Sequence, residues 1–247
     1  MARQDIPVLH GAAEPPDLGF EETRRQALLV GSNILSFDTG VEAEFREAVS
    51  DSALLAQLIA SRTVDSSNPI AWFDCYFSTL GSLGWVTQAR DTALYSIRVD
   101  GMEVHEAILE VVSAFIGNAP AALALVKLSL ESLKKMDAGS PLITLFRRES
   151  QQATTGRFQF TTVRADADMG LLAEAMAFAL HAEKDITQIL FFKLHKTKAR
   201  MQRSLGTVSL NRMALTSLRP LVRRKVESHL AQQVANLDLG DLPGPTA

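Results

Sequence analysis

Cysteine is almost absent from this chain: its 247 residues include one, Cys75. A lone cysteine excludes a disulfide within the molecule, so the fold needs no oxidising compartment. The N-terminal residues lack the apolar core of a signal peptide, and no window holds a run of 18 apolar residues. We therefore expect a cytoplasmic protein, or one that is exported without a Sec signal peptide.

The motifs of common catalytic and cofactor sites are also missing. The five histidines and the cysteine show no HExxH, HxH or CxxC spacing, which argues against a zinc site. GxSxG, GxGxxG and GxxxxGK[ST] are absent as well. Asp166 and Asp168 resemble the start of a calcium loop, but Ala177 occupies its twelfth position. We expect no cofactor, no metal and no catalysis, although missing motifs do not exclude an enzyme.

Acidic residues are missing from one long segment, and this absence divides the chain by charge. Residues 186–226 contain ten of the 25 Lys and Arg residues and none of the 28 Asp and Glu residues. Because three acids follow this segment, residues 1–185 carry 25 acids against 15 bases, a net charge of −10. The two blocks can attract each other, within one molecule or between copies, or the basic block can bind an outside anion.

The basic block supplies the candidate binding residues. From residue 191 to 203 the sequence FFKLHKTKARMQR turns from apolar to cationic, and a strand would project Lys196, Lys198 and Arg200 from one face. Cations on an exposed strand can also serve only to prevent edge-to-edge pairing. The candidate residues for an anionic partner are Lys193, Lys196, Lys198, Arg200, Arg203, Arg223, Arg224 and Lys225.

Helical patterns dominate the first 150 residues. Apolar spacing predicts a helix over 18–36 and two more over 41–49 and 53–61, with Asp51 as an N-cap. Asn68-Pro69 has the form of a cap followed by a proline in the first turn, and it predicts a helix to about residue 88. Similar start signals predict further helices over 102–116, 120–136 and 141–152.

Strand patterns follow residue 154. In residues 171–182 one alternating set is nearly all alanine and the other is large and apolar, which favours a strand whose alanine face receives a helix. Alternation elsewhere predicts strands over 157–165, 186–201 and 207–210. A final amphipathic helix is predicted over 217–236, with Pro220 in its first turn.

These patterns predict an α+β fold. It consists of an N-terminal helical bundle packed with a short antiparallel β-meander and a C-terminal amphipathic helix. The predicted organisation is a flexible arm (1–17), a helical region (18–153), the meander with the last helix (154–237) and a flexible tail (238–247). The second and third parts are expected to form one compact unit.

For function, the charge division favours a non-catalytic interaction or self-assembly protein. Its acidic surface (1–185) and basic surface (186–226) would bind copies of the chain or an acidic protein. The alternative is a membrane-active protein or toxin component that binds anionic lipid through the basic residues and inserts the apolar hairpin 103–136. Nucleic acid is disfavoured as a partner, because the protein is acidic and no aromatic residues alternate with the cations.

Overall fold

One mixed β-sheet lies between two layers of helices. This arrangement is seen in a computed structural model of the chain, which describes residues 18–65, 68–95, 104–116, 120–136, 141–152, 155–168, 170–181 and 200–237. In chain order the elements are β1 (Gln26–Val30), β2 (Asn33–Phe37), α1 (Ala43–Thr63), α2 (Pro69–Ser82), β3 (Trp85–Tyr95), α3 (Val104–Ile116), α4 (Pro120–Lys135), α5 (Pro141–Ser150), β4 (Gln151–Gln152), β5 (Thr155–Asp166), β6 (Gly170–His181), β7 (Arg200–Leu210), α6 (Arg212–Gln233) and β8 (Val234–Leu237).

The strands follow the order β3-β7-β6-β5-β2-β1-β8, and the short β4 pairs with β5 beside this path. Strands β2 and β5 run parallel, whereas the other described pairs are antiparallel. The N-terminal hairpin β1–β2 therefore lies inside the sheet, between the short strand β8 and the long strands β5, β6 and β7.

Each face of the sheet has its own apolar core. The first face, called here the α1 face, packs against α1, α2 and α6. The second, called the α4 face, packs against α3, α4 and α5. Leu28 points into the first core and its neighbour Leu29 into the second, and both are fully buried. Successive residues of one strand thus pack against helical layers on opposite faces of the sheet, as the pleat of a strand requires.

The predicted N-terminal helical bundle beside a short meander is wrong. The helices are divided between both faces of an eight-stranded sheet, and the region predicted as a helix over 18–36 contains β1 and β2. Strands that are buried on both faces lose the alternation of apolar and polar residues, so the run resembled a helix. The hairpin turn is made by Gly31, whose φ of 57° is a backbone conformation that favours glycine.

Three other predicted boundaries are also wrong. The helices expected over 41–49 and 53–61 are one helix, and Asp51 lies buried within it instead of capping it. The helix that starts at Pro69 ends at Ser82, before a turn at Gly84 leads into β3. The last helix begins at Arg212, where Asn211 accepts a hydrogen bond from the Ala214 amide, so Pro220 lies inside the helix.

Several local predictions are confirmed. The strand predicted over 171–182 is β6 as far as His181, where this range of described residues ends, and its alanines face α1 while Met176, Phe178 and Leu180 face α4. The predicted strand over 157–165 lies in β5, and helices α4 and α5 begin at the prolines that the sequence marked. The strand expected over 207–210 is the end of a longer one, β7. The arm 1–17, the tail 238–247 and most of the strand expected over 186–201 lie outside the described residues.

Candidate anion-binding site and its setting

The structure separates the predicted cations. Lys193, Lys196 and Lys198 lie outside the described residues. Arg200 and Arg203 are on β7. The remaining three predicted cations, which are on α6, are Arg223, Arg224 and Lys225.

Helices α1 and α6 run side by side and are joined by three ion pairs. Arg212 lies 2.9 Å from Glu42, Arg219 contacts Glu47, and Arg223 donates to Asp51 at 3.2 Å. Arg223 is therefore used within the molecule, where it offsets part of the charge of the acidic block. The contact is long-range, because the last pair joins residues that are 172 positions apart in the sequence.

The Asp51 carboxylate in this contact is almost completely buried. Its side chain is 2% exposed, against 31% for Arg223. Burial raises the pKa of Asp51 above its usual value, although the charge and the hydrogen bond of Arg223 act in the opposite direction. The removal of water from the carboxylate thus outweighs the attraction of its partner.

The other predicted cations differ in how far they are engaged. Arg203 lies 3.3 Å from Asp91 of the neighbouring strand β3. Arg224 is exposed and donates to the Pro220 carbonyl, and Lys225 is exposed as well. Arg200 is exposed at the start of β7. Of the predicted residues that the structure describes, Arg200, Arg224 and Lys225 make no ion pair with a described residue.

Arg157, which the sequence analysis did not single out, is the most unusual cation of the described residues. It lies near the start of β5 on the α1 side, and its guanidinium carbon is 4.0 Å from the centre of the Trp72 ring. Nη2 is 3.5 Å from the Ser61 hydroxyl, and the buried Nε has no hydrogen-bond partner among the described residues. Burial lowers the pKa of Arg157 to about 10. The available signal was an arginine directly before the aromatic residues Phe158 and Phe160 of the predicted strand.

The register of the long strands brings a histidine, His181, and a further arginine, Arg200, to the same end of the sheet. Arg157 pairs with Ala179, and two residues further along β6, His181 pairs with Arg200. Ala179 belongs to the core of the α1 face, so His181, two residues on, lies on the same face. His181 and Arg200 are both exposed. The arrangement gives a cationic end of the sheet, defined by Arg157, His181 and Arg200.

The layer on the α1 face is attached to the sheet by buried polar contacts as well as apolar ones. Gln57 of α1 accepts hydrogen bonds from the Ser32 amide at 2.9 Å and donates to the Val30 carbonyl at 2.8 Å. Trp85 of β3 donates to Ser52 of α1 at 3.0 Å. Breaking such contacts leaves buried polar groups unpaired, which costs about 1–3 kcal/mol for each group.

The layer on the α4 face packs on the sheet through an apolar core. Phe158, Phe160 and Phe178 form an aromatic cluster on this side of the sheet, with Phe158 stacked on Phe178 at 5.3 Å. Helices α3 and α4 cover the cluster with valine, leucine, isoleucine and alanine. Ser129 of α4 adds a buried hydrogen bond to Ser36 of β2, with 3.0 Å between the two hydroxyl oxygens.

No described helix combines the length and the apolar character that a membrane span requires. The described His, Cys, Asp and Glu residues form no group of three that could hold a metal ion.

No family model matches the chain, and no curated protein matches its sequence. Solved structures share part of its backbone arrangement. A structure titled delta-endotoxin is 12% identical, with a TM-score of 0.42, and the match covers 83% of this chain and 91% of that one. Activated Cyt2Ba monomer from Bacillus thuringiensis subsp. israelensis is 14% identical (TM-score 0.42; 72% and 97% covered). The Evf virulence factor is 10% identical (TM-score 0.31; 83% and 82% covered).

Proposed function

We propose that this chain is a non-catalytic, membrane-active protein whose α3–α4 hairpin leaves the sheet at a lipid surface. The observation that carries this proposal is the apolar cover that α3 and α4 place over an aromatic face of the sheet. Ion pairs and buried hydrogen bonds join α1 and α6 to each other and α1 to the sheet. The α3–α4 hairpin covers an aromatic sheet face with apolar side chains, and Ser129 of α4 adds a hydrogen bond to Ser36 of β2.

The two helical layers differ in the free energy that separation from the sheet would cost at a membrane. In water, uncovering the α4 face would cost about 25 cal/mol for each Å² of apolar surface. At a membrane the same surfaces would exchange one apolar environment for another, because acyl chains are as apolar as the side chains they replace. The layer on the α1 face has no such route, since Gln57 of α1 would lose its hydrogen bonds to Ser32 and Val30 of the β1–β2 hairpin.

The composition of the hairpin fits this role. The buried side of α3 carries Val104, Ile108, Val111, Val112 and Ile116, while Glu106 and Glu110 are on the exposed side. Such a helix is suited to lie in the interface with its apolar side toward the acyl chains.

A reversible cross-link tests the release of the hairpin. Ser36→Cys with Ser129→Cys, in a Cys75→Ala background, places two thiols where the hydroxyl oxygens are 3.0 Å apart. We expect the oxidised protein to bind vesicles without releasing a trapped dye, and reduction to restore the release.

The matched control is a second hydroxyl pair at the same separation. Thr92 and Ser204 face each other across β3 and β7 with 3.0 Å between their oxygens, so the double cysteine variant cross-links strands and leaves the hairpin free. This variant is expected to release dye whether oxidised or reduced. Full leakage from the oxidised Ser36→Cys/Ser129→Cys protein would contradict the proposal, as would inhibition by the strand cross-link alone.

A further inference from the structure

Arg157 differs from Arg46, another arginine on the α1 side of the sheet. Arg46 is fully buried, yet its guanidinium donates to the carbonyls of Val41 and Asp38 and to the Gln26 side chain. These bonds make Arg46 a structural residue. Arg157 is also desolvated, but the contacts of its guanidinium are the Trp72 ring and a long approach to the Ser61 hydroxyl.

A desolvated guanidinium normally has an acidic partner, because its charge is costly to remove from water. Among the described residues no carboxylate pairs with Arg157, His181 or Arg200. Arg157 Nε is in addition a buried donor without a described acceptor. Among the described residues, the cationic end of the sheet therefore has donors and positive charge in excess of its acceptors.

The layout suits a tetrahedral oxyanion. Side chains on directly paired residues such as His181 and Arg200 have Cβ atoms about 4.5–5.5 Å apart, and diagonal neighbours are about 7–8 Å apart. Arginine and histidine side chains span these distances. The Trp72 ring restricts the orientation of the Arg157 guanidinium, so less side-chain freedom is lost when an anion binds.

We propose that Arg157, His181 and Arg200 bind a phosphate group, and that this phosphate is the headgroup of an anionic phospholipid. The identification of the lipid rests on the proposed membrane-active function. The guanidinium of Arg157 would donate two hydrogen bonds to the phosphate oxygens, and the exposed His181 and Arg200 would add charge from the solvent side. The site would hold the protein at the membrane before the hairpin is released.

The first experiment measures binding to vesicles of phosphatidylcholine with and without phosphatidylglycerol. We expect Arg157→Gln to weaken binding to the anionic vesicles about tenfold or more, because charge-assisted paired hydrogen bonds are lost. Arg157→Lys is expected to be nearly as weak, since lysine keeps the charge but not the planar pair of donors. Arg224→Gln removes one charge from an exposed position that makes no ion pair with a described residue, and is the control for general electrostatic attraction.

Normal vesicle binding by Arg157→Lys, or an equally large loss of binding in Arg224→Gln, would mean that general electrostatic attraction explains the result. Either outcome would overturn the proposed phosphate site. Circular dichroism and thermal unfolding establish that each variant is folded. If Arg157→Gln does not fold, His181→Gln and Arg200→Gln serve in its place. Both residues are exposed, and each is expected to weaken binding at least threefold more than Arg224→Gln does. Binding at the Arg224→Gln level in both would equally overturn the site.

The second experiment separates lipid from free phosphate. In a Trp85→Phe variant Trp72 is the one tryptophan left, so its fluorescence reports anion binding beside Arg157. Inorganic phosphate is expected to change this fluorescence and to displace the protein from anionic vesicles. A phosphate response without any effect of Arg157→Gln on vesicle binding would assign the site to soluble phosphate and overturn the lipid identification. No response to phosphate, together with unchanged vesicle binding, would overturn the whole proposal.

The proposed membrane function and the proposed phosphate site can be contradicted independently of each other. If Arg157 variants bind vesicles normally while the Ser36→Cys/Ser129→Cys cross-link still blocks leakage, the phosphate site is wrong and the membrane function remains. If the wild-type protein releases no dye but its Trp72 fluorescence still responds to phosphate, the membrane function is wrong and an anion site remains.

Discussion

At the scale of single residues, the Asp51 carboxylate is almost completely buried, and this burial makes the contribution of Asp51 to stability dependent on pH. Burial raises the pKa of Asp51 in the folded state above the usual 3.8. The native state therefore binds the proton more tightly than the unfolded state does. The contribution of Asp51 to the free energy of unfolding is therefore complete below the usual pKa of 3.8. It is lost as the pH rises through the raised pKa of the folded state.

The variant Asp51→Asn cannot titrate and tests this sign. We expect the free energy of unfolding of the wild type, minus that of the variant, to fall as the pH rises from about 4 toward neutrality. Urea unfolding at a series of pH values measures this difference. Ser50→Ala, which changes a neighbouring side chain without a charge, is expected to give an offset that does not vary with pH. A difference that rises with pH would mean that the attraction of Arg223 outweighs burial.

Asp51 and Arg223 also mark the limit of what residue patterns could predict. The spacing of apolar residues predicted Asp51 as a helix cap and Arg223 as a cation free for an outside anion. Their contact depends on how α1 and α6 pack, across 172 residues of sequence, and no local pattern contains that information. Arg200 was found from its place in the basic block, whereas Arg157 needed the strand register to connect it with His181.

At the scale of elements, β1 offers a direct comparison of the two layers. Leu28 and Leu29 are adjacent, both fully buried, and belong to the cores of opposite faces. Replacing either with alanine is expected to reduce stability by about 2–5 kcal/mol. We expect Leu29→Ala to accelerate dye release, because it loosens the packing under the hairpin, and Leu28→Ala to leave the rate nearly unchanged.

Thermal unfolding shows whether Leu28→Ala and Leu29→Ala lose similar amounts of stability. Their rates of dye release can be compared only if they do. Leakage assays with the two proteins at equal bound amounts then give the result. Equal acceleration by Leu28→Ala and Leu29→Ala would mean that general destabilisation causes release, and would remove the special role of the α4 face.

Strands were predictable where their two faces differ and not where both faces are buried alike. In β6 the alternation of alanine with large residues identified a strand, because the alanine face meets the helices of one layer and the large residues fill the opposite core. In β1 and β2 nearly every residue is buried, so the run carried no period of two and its alanine and leucine content favoured a helix. The β1–β2 hairpin lies in the middle of the sheet because β2 pairs in parallel with β5, a strand far away in the sequence.

At the scale of the whole molecule, the acidic and basic blocks meet within one chain. Four cations of the basic segment are paired with acids of residues 1–185, namely Arg203, Arg212, Arg219 and Arg223. These pairs use charge that a self-assembling protein would need at its surface. Self-assembly through complementary charge stays a prediction, and the internal pairs make a monomer in solution the simpler expectation.

Light scattering at low and high ionic strength distinguishes these states. We expect a mass of 26.9 kDa in both conditions and at all protein concentrations, since the charge blocks are already complementary within the molecule. Salt should act instead on stability, because most of the internal pairs are partly exposed and are weakened by screening. A mass that increases with concentration at low salt and returns to that of a monomer at high salt would support assembly, and would place the free cations Arg224 and Lys225 at a contact between copies rather than toward a membrane.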